Sequence, residues 1–189
     1  MEPLKKHKFA ILGDTNVGKT SITTRFVNDK FDDYTTSTIG AAFKFKKLFI
    51  NNQLLILDIW DTAGQERYRS LAPLYYKNSS AIIIVYDITS IDTFNMAKFW
   101  ADEVKDQENT VIAFVGNKSD QLSYRKIDFE EARDFANTNN FIYKEVSAKT
   151  GDGIQELFNT IGEKLLSLLP ISQQPNIFIE KKKYNFWCF

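Results

Sequence analysis

The stretch Gly13-Asp14-Thr15-Asn16-Val17-Gly18-Lys19-Thr20 has the form G-x-x-x-x-G-K-[ST], and it constrains this chain more than any other feature. It follows Phe9-Ala10-Ile11-Leu12, an apolar run that predicts a buried strand. It precedes Ser21 to Asn28, where Ile22 and Phe26 lie four apart as on one helix face. Gly13 and Gly18 permit backbone angles that a Cβ forbids, so successive N–H groups can turn inward on phosphate oxygens. Lys19 adds a mobile positive charge, Thr20 a hydroxyl suited to Mg²⁺, and the helix start its positive dipole end. A glycine-rich turn with no ligand is the alternative for this motif alone.

The rest of the chain supplies the context. After the first helix, Asp29 to Gly40 is polar and threonine-rich with no sustained period, and reads as a long functional loop. Ala41 to Ile50 and Gln53 to Trp60 predict two strands joined at Asn51-Asn52, a tight hairpin turn because asparagine tolerates positive φ. Ala81 to Tyr86 and Val111 to Gly116 are continuously apolar, as strands buried on both faces should be, and Phe141 to Val146 is a last strand. Met96, Trp100 and Val104 mark one helix. Asp128, with Glu131 three residues on, caps another whose apolar face is Phe129, Ala132, Phe135 and Ala136. Ile154 to Leu168 has clear helical spacing. Strands alternating with helices predict an α/β fold, a mostly parallel sheet covered on both faces with ligand loops at the carboxyl ends of the strands.

With 189 residues, 43% of them apolar, the chain suits one domain with a substantial core. Its 24 basic and 24 acidic side chains cancel, so no basic excess suggests a nucleic-acid partner. The single cysteine excludes an intramolecular disulfide, and Met1-Glu2-Pro3-Leu4-Lys5 lacks the apolar core of a secretory signal, both consistent with a reducing cytosolic location. No apolar stretch approaches the roughly 20 residues needed to span a bilayer.

GDTNVGKT, the isolated Thr38, WDTAGQE, NKSD and SAK stand in the order and positions of a Ras-superfamily small GTPase. Thr38 to Phe43, Trp60 to Tyr68, Ser70 to Tyr76 and Val85 to Thr89 further resemble a Rab, most of all the early-endosomal Rab subgroup. The resemblance covers about Lys8 to Leu169. It implies a P-loop NTPase fold, a six-stranded sheet with one antiparallel edge hairpin strand, with a small G domain over 1–169 and a flexible tail over 170–189. The implied ligands are GTP or GDP with Mg²⁺. Asp14, Thr15, Asn16, Val17, Gly18, Lys19, Thr20 and Ser21 would hold the phosphates. Asp120 would accept from the ring N–H and exocyclic amine of guanine, a donor pair that adenine lacks. Resemblance assigns Asn117 and Lys118 to holding the base and its loop, Ala148 within Ser147-Ala148-Lys149 to a backbone N–H on the guanine oxygen, and Phe31 to the other side of the base. Thr20 and Thr38 would ligate Mg²⁺ directly and Asp61 through water. Gly64 would offer its N–H to the γ-phosphate and, lacking a side chain, let its loop pivot.

Gln65 is the water-positioning residue by the same resemblance, with Lys19 the second catalytic group, since phosphoryl transfer depends on alignment and charge stabilisation. Thr15 occupies a position where the superfamily often has glycine or serine, and its branched side chain is expected to crowd Gln65 and slow hydrolysis. Arg67 and Arg69 read as solvated loop arginines rather than a finger supplied in cis. The expected unassisted turnover is on the order of 10⁻⁴ to 10⁻² s⁻¹, rising with an activating protein. Phe43, Trp60 and Tyr75 match an aromatic cluster that Rabs present to effectors, with core packing the alternative. The implied partners are an exchange factor, a GTPase-activating protein and effectors, plus a GDP-dissociation inhibitor if the chain is prenylated. A monomer acting on the cytoplasmic face of endosomal or vesicle membranes is expected. The tail carries Lys181, Lys182 and Lys183, suited to an anionic membrane, and Cys188 as a prenylation candidate. Cys188 is single and penultimate, unlike the paired cysteines usual in Rabs, so an unmodified thiol is the alternative. Other readings are a nucleotide-bound scaffold without useful hydrolysis and a P-loop kinase or ATPase.

Overall fold

In the computed structural model, which describes residues 6–33 and 36–168, the apolar runs form one six-stranded sheet. The strands are β1 (Lys6–Gly13), β2 (Ala41–Ile50), β3 (Gln53–Thr62), β4 (Ala81–Asp87), β5 (Val111–Asn117) and β6 (Ile142–Glu145). Their order is β2-β3-β1-β4-β5-β6, with β2 and β3 antiparallel and every other neighbouring pair parallel. At the hairpin Asn51 and Asn52 take φ of 49° and 62°, the left-handed pair that a two-residue turn requires and asparagine tolerates. β3 continues two residues beyond the predicted Trp60, because Asp61 and Thr62 pair with Ala42 and Ala41 and the Thr62 hydroxyl donates to the Ile11 carbonyl at 2.6 Å.

Both faces of the sheet are covered, which is why its central strands lack polar alternation. On one face Phe9 and Ile11 of β1, Ile83 and Val85 of β4 and Val115 of β5 pack against α1 (Lys19–Asn28) and α5 (Ile154–Leu168). On the other, Ala10, Leu12, Ile84, Tyr86 and Phe114 meet α2 (Ala72–Tyr76), α3 (Ile91–Val104) and α4 (Phe129–Thr138). Asp128 caps α4 as its spacing predicts, its carboxylate accepting from the N–H groups of Glu130 and Glu131. Sequence periodicity missed the 3-10 segment Glu66–Leu71 and α2, because neither is long enough to display a repeat. Cys188 and the other tail residues, and Tyr34 in the long loop, lie outside the described residues. Among those described, no helix is long and apolar enough to cross a membrane.

From β1 the chain moves to β2 and β3 on one side of the sheet and then to β4, β5 and β6 on the other. The carboxyl end of β1 is therefore the point where the winding reverses, and a crevice opens there. The loop Asp14 to Gly18 emerges at that point.

Phe158 of α5 clamps α1 to the sheet. It is fully buried, stacked on Phe26 at 3.6 Å between centroids and at 6.4 Å from Phe9. Replacing Phe158 by alanine should cost about 3–5 kcal/mol, the usual loss for an aromatic removed from a close-packed core. Denaturant unfolding at a fixed excess of ligand measures the loss, because ligand bound to the native state adds to apparent stability.

Candidate nucleotide and magnesium site

A cleft of about 310 Å³ opens over the carboxyl ends of the strands. Its lining draws on every expected motif: Thr15, Asn16, Gly18, Lys19, Thr20 and Ser21, then Phe31 and Thr38, Gly64 and Gln65, Asn117, Lys118 and Asp120, and Ala148 and Lys149. Gly13, Asp14, Val17, Asp61 and Ser147 stand outside that lining and support it. Asp32, Thr36, Ser37 and Gln121 also line the cleft, positions that no local pattern singles out.

The phosphate loop is shaped by backbone conformation and close approach. Gly18 has φ of 92° and Asn16 of 59°, both left-handed. A Cβ on Gly18 would lie 2.2 Å from Nδ2 of Asn117. That amide is a brace: Nδ2 donates to the Val17 carbonyl at 2.8 Å, and Oδ1 accepts from the Ala148 N–H at 3.1 Å. Asn117 thus ties the first motif to the last. The Ala148 N–H, assigned by resemblance to the guanine oxygen, is here engaged by Asn117, although Ala148 itself lines the cleft.

Lys19 folds back over its own loop, donating from Nζ to the carbonyls of Gly13 at 3.0 Å and Asp14 at 2.5 Å. Burial lowers its pKa to about 8, against the opposing pull of Asp61 and Asp14. Asp61 is fully buried and neither carboxylate oxygen has a hydrogen-bond partner. Desolvation pushes its pKa up, against the opposing charges of Lys19 and Lys44. The hydroxyls of Thr20 and Thr38 stand 2.9 Å apart. Two hydroxyls beside an orphaned buried carboxylate fit a hard, oxygen-seeking divalent cation. Among the described residues no group of three or more His, Cys, Asp or Glu suited to a metal occurs, and Mg²⁺ commonly keeps several waters and needs few protein ligands.

The base-side loops are held by side chains on either side. Asp120 accepts from the Ser147 hydroxyl at 2.5 Å, which orients its carboxylate, and that hydroxyl accepts in turn from the Thr150 N–H. Lys118, at φ 67°, pairs with Asp87 at 2.6 Å. Arg25 donates to the carbonyls of Ala148 at 3.0 Å and Lys149 at 2.7 Å. No local pattern assigns a role to Arg25 or Asp87. Arg25 sits on a helix that reads as ordinary, and only the acid at the end of a buried strand hinted at Asp87.

The loop after β3 closes onto the phosphate loop. A Cβ on Gly64 would lie 2.4 Å from the Asp14 carbonyl and 2.5 Å from Nζ of Lys19, so glycine is needed here for close approach, in addition to any freedom to pivot. The Gln65 side-chain carbonyl accepts from Arg67 Nε at 2.7 Å. Arg67 and Arg69 are absent from the cleft lining. Arg69 is half-buried against α3, with Nη2 near the Met96 sulfur and its guanidinium over the Phe99 ring, which corrects the reading of a solvated side chain. Outside the cleft, Trp60 lies between Phe43 and Tyr75 with centroids 5.4 and 5.7 Å away. Phe43 is 52% exposed, a surface position rather than a core one, and Trp60 and Tyr75 are half-buried.

Gly64→Ala should be unable to close this loop over Asp14, since the obstruction is backbone. Single-turnover hydrolysis should fall by at least about tenfold, the effect of losing a little over 1.4 kcal/mol of transition-state alignment, while fluorescence titration finds GDP affinity little changed.

Comparison with known proteins agrees with this geometry. The Ras family model matches residues 8–167. The chain is 43% identical over 165 residues to Ras-related protein Rab5A of Oryza sativa subsp. japonica, covering 86% of this chain and 81% of that one. It is 45% identical over 165 residues to each of the Ras-related proteins RABF2b and RABF2a of Arabidopsis thaliana, covering 86% of this chain and 82% of each. The chain belongs to the Ras family and, within it, to the Rab GTPases, enzymes that hydrolyse GTP to GDP and phosphate.

Proposed function

We propose that this chain is a GTP-dependent switch in endosomal membrane traffic, recruiting effectors through Phe43, Trp60 and Tyr75 only while GTP is bound. The observation that carries the reading is the closure of two separate segments on the phosphate loop. Thr38 reaches the Thr20 hydroxyl, and Gly64 packs on Asp14 and Lys19. A γ-phosphate placed among Lys19, Thr38 and Gly64 would be their common tether, and its loss on hydrolysis would release both segments. Because Phe43 and Trp60 lie between these segments and Tyr75 follows the second, their release would dismantle the exposed aromatic surface.

Each residue then has a chemical role. Asp120, oriented by Ser147, accepts from guanine, and a base without that donor pair would leave the carboxylate unpaired. Lys19 gives up its contacts with the Gly13 and Asp14 carbonyls for phosphate oxygens, regaining a full counter-charge for a buried ammonium. Thr20, Thr38 and Asp61 would hold magnesium, which would supply charge neutralisation to the phosphates when bound. Gln65 orients the attacking water once it exchanges its contact with Arg67 for one in the cleft. Unassisted hydrolysis is slow, and an activating protein completes the charge stabilisation; among the described residues no arginine lines the cleft. Membrane association is peripheral, through Lys181 to Lys183 and a lipid on Cys188.

Amide hydrogen exchange of the full-length protein loaded with GDP or with a non-hydrolysable GTP analogue tests the switch. Residues 31–43 and 62–76 should be more protected with the analogue, and identical exchange in the two states would sink the reading. Thr15 and Gln65 both line the cleft, and a branched side chain in the phosphate loop takes up room that the attacking water and Gln65 would need. Thr15→Gly should therefore raise single-turnover hydrolysis by about tenfold, as relief of roughly 1.4 kcal/mol of misalignment would. A rate no faster than wild type would remove Thr15 from the account.

A further inference from the structure

Beneath the base-side loops runs a polar chain that the cleft itself does not use. The hydroxyls of Tyr86 on β4 and Tyr143 on β6 are 3.1 Å apart, and Tyr143 donates to Glu145 Oε1 at 3.0 Å. Arg125 forks onto both Glu145 oxygens at 2.7 and 2.6 Å and donates also to the Ile127 carbonyl at 3.1 Å. Glu145, as a carboxylate, only accepts. The Tyr143 proton is thus committed to it, the Tyr86 O–H donates to Tyr143, and the direction of the chain is set. Burial raises the pKa of both tyrosines, so both keep their protons.

The chain crosses the sheet at Gly116 of β5, which is in register with Tyr86 on one side and Glu145 on the other. A Cβ at Gly116 would stand 2.8 Å from the Tyr86 oxygen, so the missing side chain makes the room the network needs. Three of its members adjoin a loop of the cleft. Tyr86 precedes Asp87, the partner of Lys118. Glu145 precedes Val146, whose carbonyl accepts from the Ser119 N–H, and Ser147, which holds Asp120. Arg125 closes the 118–127 loop, whose Lys126 and Ile127 N–H groups donate to the Ile88 carbonyl.

We propose that Arg125, Glu145, Tyr143 and Tyr86 are positioning residues for purine-base recognition. They lock the 118–127 loop to the 146–149 loop, so that Asp120 meets the base in one orientation. A bidentate pair of this kind adds geometric precision that a single point charge cannot, which suits a specificity role. The inference rests on the assignment of guanine to Asp120 made above.

Dissociation of GDP and of inosine diphosphate, which lacks the exocyclic amine, is measured on full-length wild type, Glu145→Gln and Tyr143→Phe. Wild type must release inosine diphosphate faster. If it does not, the guanine assignment itself fails, separately from this proposal. Both variants should release GDP about tenfold faster, within the range for residues that couple to a ligand without touching it, and the GDP preference over inosine diphosphate should shrink. An unchanged preference, whether the two rates stay at wild type or rise equally, overturns the proposal, because a role in fold stability alone would weaken both ligands alike. If Glu145→Gln fails to fold, Tyr143→Phe decides, since it keeps the ring and removes only the hydroxyl.

Discussion

The rest of the structure depends on how closely its loops approach one another at the carboxyl edge of the sheet. Gly64 lies so near the Asp14 backbone, and Gly18 so near Asn117, that a single added carbon at either would overlap its neighbour. Backbone packed this tightly can present several N–H groups to one small anion, which side chains on longer stems could do only at a greater cost in lost rotamer freedom. The hydrogen bonds of Asn117 to Val17 and Ala148 hold that arrangement from beneath.

Charge in the cleft is poised rather than satisfied. Lys19 is buried with carbonyls for partners, and Asp61 is buried with no hydrogen-bond partner. Burial lowers the pKa of the first and raises that of the second, so both charged forms are disfavoured in the protein alone. A phosphate anion beside Lys19 would relieve the first penalty, and a cation beside Asp61 the second. A perturbed lysine in the cleft with a perturbed carboxylate behind it is the electrostatic mark of a functional site.

Rigidity and mobility are divided along the same edge. β1, β4 and β5 are buried almost throughout and sandwiched between two apolar layers, so the loops that leave them have fixed bases. The 3-10 segment Glu66–Leu71, by contrast, has no buried residue, and Thr38 reaches the cleft from a segment without regular structure. Elements with few buried contacts are those that open at low free energy. A switch needs this division, because a ligand can shift only a segment whose alternative state costs less than the differential binding energy available.

Much of this was legible in the residues themselves. Continuous apolar runs marked strands covered on both faces, asparagine pairs marked the hairpin, and the motifs fell at strand ends because backbone conformation and side-chain chemistry act over a few residues. Only the tertiary structure decided which of these pieces meet. The brace from Asn117 to Val17, the grip of Arg25 on Ala148 and Lys149, and the chain from Tyr86 to Arg125 join residues far apart in sequence. Such contacts follow from strand order and register, which no local pattern carries. The same limit explains Gly64 and Arg69: freedom of the backbone and solvation were the natural local readings, and close approach to Asp14 and burial against α3 are properties of the assembled fold.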